Sequence, residues 1–162
     1  MDLRTQLGSL AEAKVIAKLI EHGFHVFVQF SGKGPFDLVV YKDERLLRVQ
    51  VKGTSCRTLH GAFPVLIKSV RSNRTGNVVH KFDPSQCDVL AVYVAPLDKV
   101  AFLQADEIVS RGQLNLRESL RQEQRKCWVI RELEDPSRLL RDHTRDTCDG
   151  DDMVQTTTQC GS

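Results

Sequence analysis

At 162 residues, with 41% apolar and 27% charged residues and a net charge of +2, the chain has the balance of one soluble globular domain with a real core. No run approaches the roughly 20 apolar residues of a membrane helix, and MDLRTQLGS opens without a signal-peptide core, so the expected setting is the cytoplasm, with no membrane partner. Five cysteines (Cys56, Cys87, Cys127, Cys148 and Cys160) are scattered and never form a CxxC pair, which fits a reducing compartment and argues against a zinc site or a disulfide frame.

Residues 5–22 read as a helix closed by Gly23, a left-handed cap. FHVFVQF (24–30) reads as a strand, followed by the glycine-rich turn SGKGP, which lacks phosphate-loop spacing. GPFDLVVYKDERLLRVQVKGT (34–54) reads as two strands joined by a charged turn. After a basic loop, AFPVLIKSV (62–70) is expected as a strand and RSNRTGN as a flexible turn. CDVLAVYVA (87–95) and KVAFL (99–103) make a second hairpin across PLD. Helices are expected at ADEIVSR, ended by Gly112, and at LRESLRQEQRK, with CWVI as a last short strand and Trp128 in the core. From Asp142 onward almost nothing is available to bury, so residues 142–162 read as a disordered acidic tail and residues 1–141 as the domain. A helix, several strands and then helices imply an α/β domain with a mixed sheet.

The small net charge hides a strong asymmetry. The tail from Asp142 holds five aspartates and one arginine, a charge of −4, which leaves +6 on residues 1–141. Between Gly53 and Lys81 lie Arg57, Lys68, Arg71, Arg74 and Lys81 and no carboxylate. A single-sign cluster of this kind points to a polyanion, with nucleic acid first, against the plainer alternative of a solvated basic face. His60 and His80 lie on the same segment without metal spacing and read as surface or DNA-contact residues. Lys33 in SGKGP reads as a phosphate contact or as part of a plain turn.

The chemistry concentrates in the hairpin. With a symmetric turn at Asp43–Glu44, residues whose numbers sum to 87 face each other, so Tyr41 meets Leu46, Val39 meets Arg48 and Asp37 meets Gln50. Alternation then places Phe36, Leu38, Val40, Leu47, Val49 and Val51 on one wholly apolar face, and Asp37, Gln50 and Lys52 at one end of the other. An odd-length turn would destroy this separation. On the first helix, Val15, Ile16, Leu19 and Ile20 define an apolar stripe with Glu12 near its middle, where a lone carboxylate should be paired or coordinating. The alternative is a snorkelling glutamate near the first turn. Two carboxylates, an amide oxygen and an ammonium in one pocket suit a hard divalent cation and a water nucleophile.

The pattern Glu12, then PFD (35–37), then QVK (50–52), resembles the PD-(D/E)XK nuclease superfamily, with Gln50 in place of the acidic residue. The resemblance implies a restriction-endonuclease-like α/β fold, a mixed β-sheet core flanked by helices. By position it implies catalytic roles for Asp37, Gln50, Lys52 and Glu12. Asp37, Glu12, Gln50 and the carbonyl of Val51 would hold Mg²⁺, for which Mn²⁺ substitutes, and Lys52 would serve the water. More narrowly, GSLAEAKVIAKLIEHGFHVFVQFSGKGPFDLVVY followed by RVQVK resembles the homing endonucleases encoded in group I introns. That implies a site-specific nuclease of double-stranded DNA, associated with the nucleoid, with Lys33, Arg57, Lys68, Arg71, Arg74 and Lys81 as DNA contacts. One site per chain cutting two strands requires a homo-oligomer, a dimer or a tetramer. A Holliday-junction resolvase of the same fold is the competing enzyme. A catalytically silent DNA-binding protein is the alternative that the neutral Gln50 keeps open.

Overall fold

A computed structural model describes residues 2–30, 34–73, 76–109, 112–119 and 127–140. The first helix, α1 (Leu3–Glu21), starts where the Asp2 carboxylate accepts the Thr5 N–H at 2.8 Å, filling one of the donors a helix start leaves open. It ends where Gly23 adopts φ +76°. The N–H of Gly23 then reaches the Ile20 carbonyl (2.9 Å) and that of Phe24 the Leu19 carbonyl (3.1 Å), which is a Schellman closure. Phe24 and Leu19 are both buried in the same core cluster, so the cap also aims the chain into the sheet.

That sheet has five strands in the order β1 (His25–Val28), β2 (Leu38–Lys42), β3 (Arg45–Thr54), β7 (Val89–Val94) and β8 (Lys99–Gln104). The β2–β3 turn places Asp43 and Glu44 at φ 48° and 62°, the left-handed pair that a two-residue hairpin turn demands. Its register is the expected one, with Leu38 opposite Val49, Val39 opposite Arg48 and Tyr41 opposite Leu46. Beyond Val49, β3 parts from β2 and runs parallel to β7 as far as Thr54. The β7–β8 hairpin also forms as expected, across a 3₁₀ turn at Ala95–Leu97.

α1 covers one face of this sheet. Ala11, Val15 and Leu19 pack there on Leu38, Val40, Val49 and Val51, and Gly53 brings the backbones together: a Cβ there would lie 3.1 Å from Leu7 Cγ and 3.3 Å from Ala11 Cβ. The opposite face is covered by a small sheet, β4 (Phe63–Leu66), β9 (Gln113–Arg117) and β10 (Trp128–Val129), in the order β10-β9-β4. Phe63, Val65, Leu114 and Leu116 pack there on Leu90, Val92 and Val94, with Trp128 against the cluster. Among the described residues no helix is long and apolar enough to cross a membrane.

Four expectations change. The strand foreseen at 62–70 is two strands, and most of the foreseen turn at 71–77 is ladder. β5 (Ser69–Asn73) pairs with β6 (Gly76–His80) as a separate two-stranded ribbon. Leu116 and Arg117, foreseen as the start of a helix, close β9; Leu114 and Leu116 are buried on either side of half-buried Asn115, a period of two that the charged residues after it obscure. Residues 120–126 of that helix lie outside the described residues, as does the tail. Of ADEIVSR, foreseen as a helix, Ala105–Glu107 form a 3₁₀ turn, and residues 110 and 111 lie outside the described residues. Phe36 packs on the cluster opposite to its expected one, because β2 begins only at Leu38 and alternation has no hold before it.

We predict that Gly53→Val lowers stability by about 1–3 kcal/mol, since a branched side chain overpacks the seat of α1. Urea unfolding followed by circular dichroism measures the loss.

Candidate active site

The departure of β2 leaves the edge of β3 open from Gln50 to Thr54. Backbone groups of alternate residues face the same edge of a strand. The Val49 carbonyl accepts from the Asp37 N–H at 2.9 Å, so both the N–H and the carbonyl of Val51 face this open edge as well. The N–H of Val51 donates to Asp37 Oδ2 at 2.7 Å. Asp37 therefore does not stand on the sheet face beside Gln50; its carboxylate lies at the strand edge, where a ladder carbonyl would otherwise be.

Gln50 and Lys52 alternate with buried Val49 and Val51 and point away from α1. Both are half-buried, opposite Leu90 and Val92 of β7. Among the described residues, neither side chain has a hydrogen-bond or ion-pair partner. Glu12 comes from the other face, on α1. It is exposed rather than centred on a buried stripe. The helix buries the row Ala11, Val15 and Leu19, drawn over by Gly53, which leaves Ile20 58% exposed and Glu12 on the flank. There its carboxyl end is partly desolvated and faces Asp37, and these two effects, in that order, raise its pKa above the usual glutamate value. Asp37 thus lies in the plane of the strand edge with Glu12 near it from the helix side, while Gln50 and Lys52 project from the opposite face of the same strand.

A second aspartate provides a contrast. At the other edge of β3, Asp88 accepts from the Arg48 N–H (2.7 Å), Nε (3.0 Å) and Nη2 (2.8 Å). The side-chain hydrogen bonds from Arg48 hold its carboxyl below the ordinary aspartate range. Cys87, next to it, is buried, and burial first and the Asp88 charge second push its thiol up to about 11. It is a packed thiol, not a nucleophile. Sequence reasoning missed the Arg48–Asp88 pair, for which the only available signal was a charged residue directly before an apolar strand.

Among the described residues no three His, Cys, Asp or Glu side chains gather as a metal group. The donors at the β3 edge are two carboxylates, one amide oxygen and the Val51 carbonyl. One carboxylate already raises the pKa of the other, the like-charge crowding that a divalent cation relieves, and an all-oxygen set suits magnesium. Of the foreseen DNA contacts, Arg57, Lys68 and Lys81 are exposed, and Arg71 sits in β5 opposite Val78. Lys33 and Arg74 lie outside the described residues.

The sequence profile of the PD-(D/E)XK endonuclease family matches residues 3–133. Among solved structures, that of a bacterial homing endonuclease superposes with a TM-score of 0.67 at 23% identity, covering 77% of this chain and 84% of that one. At that identity the likeness is one of fold. No curated protein matches.

We predict that in chelator Glu12→Gln raises the melting temperature at pH 7.5 by a few tenths of a kcal/mol in equivalent stability, because the site is half open to water. With its folded pKa raised above the ordinary glutamate value, Glu12 carries stability that is present below its unfolded pKa and lost as pH rises through the folded one. The advantage of the variant should therefore vanish by about pH 4. Calorimetry across that range checks it.

Proposed function

The chain belongs to the PD-(D/E)XK endonuclease family, and on that premise we propose that it is a site-specific endonuclease of double-stranded DNA, of the homing type, working as a homo-oligomer. The observation that carries this reading is the Asp37–Val51 hydrogen bond, which holds the aspartate beside the strand that bears Gln50 and Lys52. The likeness of fold to a homing endonuclease supports the narrower half.

In this reading Asp37, Glu12, the Gln50 amide oxygen and the Val51 carbonyl hold magnesium, with manganese as a substitute. Bound there, the ion would supply charge stabilisation at the scissile phosphate and a water of lowered pKa. The chain's own residues do the rest. Lys52 has an ammonium not engaged by any described residue, so it is available to orient the attacking water or to offset charge growing on the phosphate oxygens. Leu90 and Val92, across the strand from Gln50 and Lys52, give that face a dry wall that strengthens the electrostatics. The exposed Arg57, Lys68 and Lys81 of the cationic segment meet the DNA backbone and hold the register. Because each chain carries one such site, cutting both strands takes two copies.

Lys52→Ala and Asp37→Ala should each slow cleavage at least about 100-fold while DNA binding in chelator persists, as measured by single-turnover cleavage of a mixed-sequence plasmid library. Full activity in either variant would remove the mechanism. Preference for four-way junctions over every linear duplex would remove the homing half alone.

A further inference from the structure

The last residue of β9, Arg117, is a charge that the proposed mechanism does not use. It is 8% exposed, and its surroundings are unusual for an arginine. Nη1 donates to the His60 carbonyl at 2.8 Å, while the buried Nε has no hydrogen-bond partner. Among the described residues no carboxylate pairs with it. A buried cation is ordinarily matched by an acid, because leaving it uncompensated costs more than the hydrogen bonds return.

The segment lying over Arg117 is itself cationic and ordered. Residues 57–62 close on themselves: the Thr58 N–H donates to the Ala62 carbonyl (2.8 Å), the Gly61 N–H to the Thr58 carbonyl (2.9 Å), and the Ala62 N–H to Thr58 Oγ1 (3.0 Å). Gly61 takes φ +75°, a conformation that glycine adopts without strain. Arg57 lies with its guanidinium 5.7 Å from the centre of the Phe63 ring, and its own exposed position leaves it free to meet an anion. Arg57 Nη2 lies 3.9 Å from where a Cβ on Gly61 would stand and Arg117 Nη1 meets the adjoining His60 carbonyl, so both guanidiniums border the His60–Gly61 peptide. The chain contributes no acidic residue anywhere between Gly53 and Lys81.

We propose that Arg57 and Arg117, bridged by the loop at residues 57–62, form a seat for one backbone phosphate of DNA, distinct from the hydrolytic site. This rests on the nuclease reading for its ligand but not for its evidence. Arg117 supplies a charge poorly screened by water, which therefore attracts an anion more strongly than a surface lysine does. Arg57 supplies the exposed partner. The seat contacts no base, so it fixes register rather than sequence.

Sequence independence makes the seat testable without knowledge of the target. Binding of a fluorescein-labelled duplex of arbitrary sequence is followed by anisotropy in EDTA from 50 to 200 mM salt. Arg117→Met and Arg57→Met should each lower the slope of log affinity against log salt by about one, as loss of one phosphate contact does. The double variant should lose no more than either, because a single phosphate is shared. Arg117→Met should keep the wild-type melting temperature or exceed it, since it removes an uncompensated charge. An unchanged slope in Arg117→Met overturns the proposal, and so does a loss of about two in the double variant, which means separate contacts. Should Arg117→Met fail to fold, the exposed Arg57→Met decides: a wild-type slope there overturns the seat. A melting temperature raised by inorganic phosphate in a protein whose DNA affinity ignores both variants marks a site for the free anion and overturns it as well. Wild-type protein that binds no duplex at all would sink the nuclease reading first, which keeps the two failures apart.

Discussion

The hydrogen bond from the Val51 N–H to Asp37 Oδ2 is the contact on which the site depends. Where two strands part, the ladder leaves donors and acceptors facing an open edge, and a half-buried amide left unpaired costs about 1–3 kcal/mol. Asp37 removes that cost and is held in place by doing so. Asp88 does the same on the other edge, accepting from the Arg48 N–H at the same distance of 2.7 Å. Both aspartates stand one residue ahead of a strand that pairs with β3. Electrostatics separates them: Asp88 is neutralised by its arginine, whereas the charged neighbour of Asp37 is another carboxylate, Glu12. Equivalent backbone roles thus leave one aspartate paired with an arginine and the other beside a second carboxylate.

Gln50 belongs to the same balance. An acidic residue there would put a third carboxylate around one strand edge, and mutual repulsion would destabilise the fold whenever no cation was bound. The amide keeps an oxygen donor without adding charge, at the cost of a weaker hold on a divalent ion. With magnesium bound as proposed, the burden would fall on Glu12, whose position is set by close packing between α1 and Gly53.

How much of this was legible in the sequence follows from the range of each interaction. The β2–β3 register was readable because alternation and a two-residue turn are local, and one slip would have reversed both faces. The placement of Asp37 beside Gln50 was half readable. Its closeness to β3 followed from the register, but the edge position of Asp37 depends on where β2 leaves β3, a tertiary fact. Glu12 was misplaced because a helical wheel weighs Ile16 and Ile20 as core. In the fold Gly53, four positions past the last β2 pair at Val49, selects the row Ala11, Val15 and Leu19 instead. β9 went unseen because only Leu114 and Leu116 carry its period before the charged residues begin. Arg117 was beyond reach altogether: its burial comes from a loop 57 residues away in sequence.

β3 also relates the two cationic and acidic regions to each other. Its end is pinned where Thr54 Oγ1 donates to the Pro64 carbonyl at 2.8 Å, so the loop bearing Arg57 leaves from a fixed point of the strand that bears Lys52. Five residues separate the two, and an extended chain of that length reaches at most about 17 Å. On one strand of DNA, at roughly 3.4 Å of rise per nucleotide, that reach corresponds to about five base steps. A phosphate held at the loop therefore lies within a few nucleotides of any phosphate presented to the edge of β3. The tether is laddered to β7 only from Lys52 to Thr54, and residues 55–57 carry it on to the loop outside the strand. A nuclease built this way gains positional accuracy from its sheet.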